Sequence, residues 1–109
     1  MENNSWNFDT ALAYFIADCQ QKINDKYKAS YPNLTVPVLI KMPGKKNVRI
    51  VQKNHPDDKS GRAWAFVEIA TGDILKAASW AAPARHARGN IYKPETWVST
   101  TSYGPAYLR

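Results

Sequence analysis

"RAWAFVEIATGDILKAASW", residues 62–80, decides how the chain is read. Its first nine residues alternate as a strand does. Trp64, Phe66 and Glu68 fall on one face; Ala63, Ala65, Val67 and Ile69 fall on the other. Thr-Gly-Asp at 71–73 makes a tight turn, and 74–80 reads as a further strand. Strands joined so closely pair antiparallel. The small side chains of the second face let a helix approach. The first face would then present Trp64 and Phe66, with Arg or Lys from neighbouring strands. A one-residue slip in register would exchange the two faces.

Working outward, 47–53 alternates Val48, Ile50 and Gln52 against Arg49, Val51 and Lys53. Residues 34–42 are also strand-like, and Pro37 marks an edge strand or a bulge. Pro43-Gly44 turns between these two, with Lys45 and Lys46 at the tip. A polar loop, 54–61, carries His55. Ahead of the strands, Phe8, Leu12, Phe15, Ile16, Cys19, Ile23 and Tyr27 follow helical spacing over 8–28. Asn7 suits the N-cap, Asp9 the first turn and Lys28 the last. Tyr31 precedes Pro32, which ends the helix. Beyond the strands, Pro83 can open a short helix and Gly89 can close it. The tail, 91–109, has little periodicity but holds Tyr92, Trp97, Tyr103 and Tyr107, so it should wrap onto the body. The fold expected is α+β and a single domain, 1–109. An amphipathic N-terminal helix packs on three or four antiparallel strands, followed by a short helix and an irregular tail.

A chain of 109 residues supports one core. Four Trp, six Tyr and three Phe are too many for a disordered chain. No apolar run approaches the roughly 20 residues of a membrane span. The polar N-terminus is no signal peptide. Cys19 has no disulfide partner and lies on the apolar stripe, which makes it a core atom rather than a nucleophile. No Cys/His cluster has zinc spacing. These points indicate a cytoplasmic protein without cofactor, metal or membrane contact. The net charge of +6 indicates an anionic partner, unless the lysines serve solubility alone.

Catalysis finds little support. His55 and His86 have no neighbours that complete a nucleophile–base set, no carboxylate pair stands out, and the five glycines are scattered. No catalytic residue is assigned. Binding finds more. A helix starting at Pro83 would offer free N–H groups to an anion. Arg85 and Arg88, three apart, would share one face of it and add two guanidinium forks. Lys76 leads into this corner and Trp80 stands within it. Aromatic faces beside cations suit bases and phosphates. Each residue also has a structural reading. His86 could satisfy a carbonyl, Trp80 could be core, and Arg88 could complement a helix C-terminus.

Residues 66–92, "FVEIATGDILKAASWAAPARHARGNIY", resemble a stretch found in small, largely uncharacterised proteins of bacteriophages and other DNA viruses. The shared pattern is GDxLKAASWxAPAxHARGN, and the closing "YGPAYLR" fits the same setting. The resemblance covers about a quarter of the chain. It implies viral origin, in the host cytoplasm or the virion, more than it implies an activity. It also implies that Lys76, Ser79, Trp80, Pro83, Arg85, His86, Arg88, Gly89 and Asn90 act together. Arg85 stands where many relatives carry Lys.

The leading expectation is a non-enzymatic viral protein that binds single-stranded nucleic acid, DNA or RNA, with homo-oligomers an option. Arg49, Lys53, Lys76, Arg85, His86 and Arg88 would contact phosphate; Trp64, Phe66 and Trp80 would stack on bases. The guanidiniums and the Trp80 indole are expected to face outward together. Two other classes stand beside it. One is a sponge that encloses a small, cyclic nucleotide signal of host defence. The other is a virion or host-interaction protein, in which Arg85 and His86 pin the tail and Trp97, Tyr103 and Tyr107 face a partner.

Overall fold

A computed structural model describes residues 6–55 and 57–105. The opening residues, Pro56 and the end of the tail, Tyr107 included, lie outside this range. The fold is α+β. One helix, α1 (Phe8–Ser30), packs on a five-stranded antiparallel sheet of β1 (Val38–Pro43), β2 (Asn47–Lys53), β3 (Arg62–Glu68), β4 (Asp73–Lys76) and β5 (Gly89–Asn90). The strands lie side by side in chain order. A 3₁₀ helix (Pro94–Ser99) and a small hairpin of β6 (Thr100–Thr101) and β7 (Gly104–Pro105) complete the tail.

Helix α1 begins as its sequence dictates. The Asn7 side chain accepts the Thr10 N–H at 2.8 Å, and Asp9 sits in the first turn. At the other end, Tyr31 caps the helix through its N–H to the Tyr27 carbonyl. Leu12, Phe15, Cys19 and Ile23 form the buried stripe. Burial pushes the Cys19 thiol from an ordinary value of 9.0 up to about 12. A thiol so disfavoured as thiolate is a packing group and a poor nucleophile.

The stripe covers Val48 and Ile50 of β2, Ala65 and Val67 of β3 and Ile74 of β4. The register Ile50↔Ala65 and Val48↔Val67 puts these side chains on one face, as the small residues of β3 foretell. β1 is an edge strand, as Pro37 suggests. Its outer rim is covered by Gln20, whose side chain takes the Leu39 N–H at 2.9 Å and gives an N–H to the Pro37 carbonyl at 2.9 Å. Pro43, at the far end of β1, has no N–H to offer. Together these features protect the edge from pairing with another chain.

Three features depart from the sequence reading. First, β2 and β3 shift register between Ile50 and Val51: Ile50 pairs with Ala65, whereas Val51 pairs with Ala63. Trp64 is therefore the extra residue of a β-bulge, and a bulge re-aims side chains. Trp64 joins the core beneath α1 at 2% exposure instead of sharing the open face with Phe66. Second, β4 ends at Lys76 rather than reaching residue 80. A tight loop follows, in which the N–H groups of Ala78 and Ser79 both reach the Ala82 carbonyl. Third, no helix forms at 83–89. The chain instead turns back along β4: Ala84 donates to the Lys76 carbonyl and Arg88 to the Ile74 carbonyl, each at 2.7 Å. The bare edge of β4 offers these partners, whereas a helix of seven residues would carry the nucleation cost almost alone. Gly89 then begins a fifth strand rather than ending a helix.

The tail does wrap onto the body. Trp97 is buried edge-on against Phe15, with ring centroids 5.5 Å apart. The Lys22 ammonium reaches the Trp97 and Thr100 carbonyls, both at 2.8 Å, and binds the tail to the helix. Tyr103 is exposed.

Candidate nucleic-acid interface

The sheet face away from α1 carries the row Met42, Arg49, Phe66 and Leu75, aligned by register across β1 to β4. The loop 78–82 places Trp80 beside this row. The Arg49 guanidinium lies 4.6 Å from the Trp80 ring centroid and 5.7 Å from that of Phe66, and its Nε–H donates to the Trp80 carbonyl at 2.8 Å. Arg49 thus serves as the fastener of the loop. Phe66, at 3% exposure, is covered and has no free ring face for a base. Trp80 is 47% exposed.

Beside Trp80 runs a groove of about 330 Å³, lined by Gly61, Arg62, Ala63, Ala77, Ala78, Ser79 and Trp80. Its length is open to solvent. The small side chains give it room, Arg62 supplies charge and Trp80 supplies a ring. A second, more polar groove of about 260 Å³ adjoins it at Gly61 and Arg62 and takes in Gln52, Asn54, Asp58 and Ser60. Two hydrogen bonds from Ser60 hold the Asp58 carboxyl below its usual range. The half-buried Lys53 lies at this end, since a Cβ on Gly61 would sit 3.2 Å from its Cγ.

The expected site residues therefore separate. The guanidiniums and the indole do not face outward as one set. Arg49 holds the Trp80 loop. The Lys76 ammonium reaches the Pro105 carbonyl at 3.0 Å, pointing to the helix side of the sheet. Arg88 donates to the carbonyls of Arg85 and His86 at 2.6 and 2.8 Å. Each turns inward to donate to a backbone carbonyl: Arg49 to Trp80, Lys76 to Pro105, and Arg88 to Arg85 and His86. Trp64 and Phe66 are buried, so neither is a stacking surface. Trp80, Arg85 and His86 remain exposed, and Lys53 half-exposed. Arg85 and His86 are exposed and make no hydrogen bond to the described part of the tail. Trp97 is core, which removes it from any partner surface. Arg62, which sequence reasoning passed over, lines both grooves. Its place at the start of β3, after a Ser-Gly turn, was the available signal.

Residues 3–102 match a family model described as a family of unknown function, DUF7717. The chain belongs to that family. The match takes in the helix, the whole five-stranded sheet and the Trp80 loop. No curated protein and no solved structure matches the chain. Among the described residues, no helix is long and apolar enough to cross a membrane.

Proposed function

We propose that this protein is a non-enzymatic binder of single-stranded nucleic acid that seats a base on Trp80, in the groove beside Arg62. The observation that carries the reading is Trp80 itself. Its half-exposed indole stands at the edge of an open groove, with the Arg49 guanidinium lying against the ring and hydrogen-bonded to the Trp80 backbone carbonyl. Among the described residues it is the one tryptophan left exposed. Holding it in advance lowers the ordering cost of binding. Stacking on one base contributes roughly 1–3 kcal/mol and tolerates any sequence. Arg62 and Lys53 add phosphate attraction, which the net charge of +6 extends at long range.

The open groove favours a strand passing through over an enclosed small nucleotide, whose pocket would have to form on binding. Viral origin, with a place in the host cytoplasm, is part of the proposal. It rests on the resemblance of residues 66–92 to small phage proteins.

The test is a titration of a labelled single strand at several salt concentrations. Each neutralised phosphate contributes about −0.7 to the slope of log affinity against log salt. Two to four contacts thus predict a slope of about −1.5 to −3. Affinity independent of salt, or no binding at low salt, refutes the reading.

A further inference from the structure

The segment between Pro83 and Gly89 carries an unexplained conformation. His86 has φ +69, the one positive value among the described residues other than glycine. Histidine enters this region more readily than most residues, yet glycine does so at no steric cost. The His86 side chain does nothing to offset the strain: the imidazole is exposed and makes no hydrogen bond, ion pair or ring contact to the described residues. The neighbouring Arg85 side chain is likewise exposed and without such a partner.

The backbone beneath them is fixed on three sides. Ala84 is hydrogen-bonded to Lys76, Arg88 is hydrogen-bonded to Ile74, and the Arg88 guanidinium grips the carbonyls of both Arg85 and His86. The outcome is a three-residue tip, 85–87, that holds a guanidinium and an imidazole away from the body. Strain at a rigid, exposed position whose side chain does nothing for the fold points to a role outside the chain.

We infer that the Arg85–His86 tip is a phosphate-binding point, with Arg88 as the positioning residue that sets it. A guanidinium fork and a ring N–H on adjacent exposed residues suit the oxygens of one phosphate. This inference rests on the proposed nucleic-acid reading for its natural ligand, but the tip chemistry needs no base. The phosphate could come from a nucleic-acid backbone or from a base-free phosphate chain, and the test separates them.

Two probes are titrated by fluorescence anisotropy: a labelled oligothymidylate, and inorganic polyphosphate as its competitor and as a labelled ligand. Four variants are compared: Arg85→Ala, His86→Gly, His86→Asn and Trp80→Ala. His86→Gly relieves the strain, so its melting temperature should be unchanged or higher. Arg85→Ala and His86→Gly should each weaken both probes about 5-fold at low salt and reduce the oligonucleotide salt slope by about 0.7. His86→Asn keeps the left-handed backbone and an N–H donor, and should retain most of the affinity. Trp80→Ala should weaken the oligonucleotide and spare polyphosphate.

If Trp80→Ala weakens the oligonucleotide while both tip variants bind each probe normally, the tip inference is overturned and the groove stands. If polyphosphate binding depends on the tip but Trp80→Ala changes nothing, the groove reading fails and the tip stands. If the native protein binds neither probe, both fall. A clear drop in the melting temperature of His86→Gly also overturns the inference, because the imidazole would then serve the fold.

Discussion

Trp64→Ala is expected to destabilise the protein by about 3–5 kcal/mol, the usual cost of emptying a large aromatic site in a core. The native stability of a domain is about 5–15 kcal/mol, so the variant should melt more than about 10 °C lower. The reason is the bulge in β3. By inserting Trp64 as the unpaired residue opposite the Ile50–Val51 step, the sheet delivers the indole to the helix side. There it fills space beneath α1 and the β6–β7 hairpin. A Cβ on Gly104 would sit 3.2 Å from the Trp64 carbonyl and 3.8 Å from the indole. The indole N–H has no hydrogen-bond partner among the described residues. Trp64→Phe, which removes that buried donor and keeps an aromatic ring, should therefore cost much less than Trp64→Ala. Chemical denaturation of the two variants checks both statements. Equal, small losses would mean that Trp64 is not a core residue.

Trp80→Ala is expected to do the opposite. Affinity for single-stranded nucleic acid should fall about 10-fold, within the 1–3 kcal/mol assigned to stacking on one base. Stability should change by about 1 kcal/mol or less, because the side chain is half-exposed and its main neighbour is the Arg49 guanidinium. Trp80→Phe should keep most of the affinity. Arg49→Lys is the informative companion. Lysine keeps the charge but lacks the planar group that lies against Trp80 and Phe66. That variant should lose affinity through a loosened platform. An Arg49→Lys protein as tight as the native one would show that the preset indole is irrelevant.

The two tryptophans also show how far the sequence could be read. Alternation in β2 and β3, the caps of α1 and the Thr-Gly-Asp turn are local signals. They placed the helix, four of the strands and the packing of α1 on Ala65 and Val67. The bulge is not local. It depends on how β3 pairs with β2 and on what the tail needs beneath the helix. Its single-residue shift sent Trp64 to the wrong face in the sequence reading. The same holds for residues 83–89. Pro83 and Gly89 do suit a short helix, but the free edge of β4 competes for their backbone groups, and that edge is invisible in a linear reading. With no helix, its N-terminal anion site disappears, and the Arg88 guanidinium donates to loop carbonyls. Arg85 and His86 kept their exposure by an unforeseen route, a strained turn at the tip.

On the proposed function, Trp80 is the tryptophan that meets a base, whereas Trp64 and Trp97 stay in the core. Indole N–H resonances in a ¹H–¹⁵N spectrum, followed as an oligothymidylate is added, test it most directly. The Trp80 resonance should move with the titration while those of Trp64 and Trp97 stay in place. A stationary Trp80 resonance at saturating oligonucleotide would contradict it.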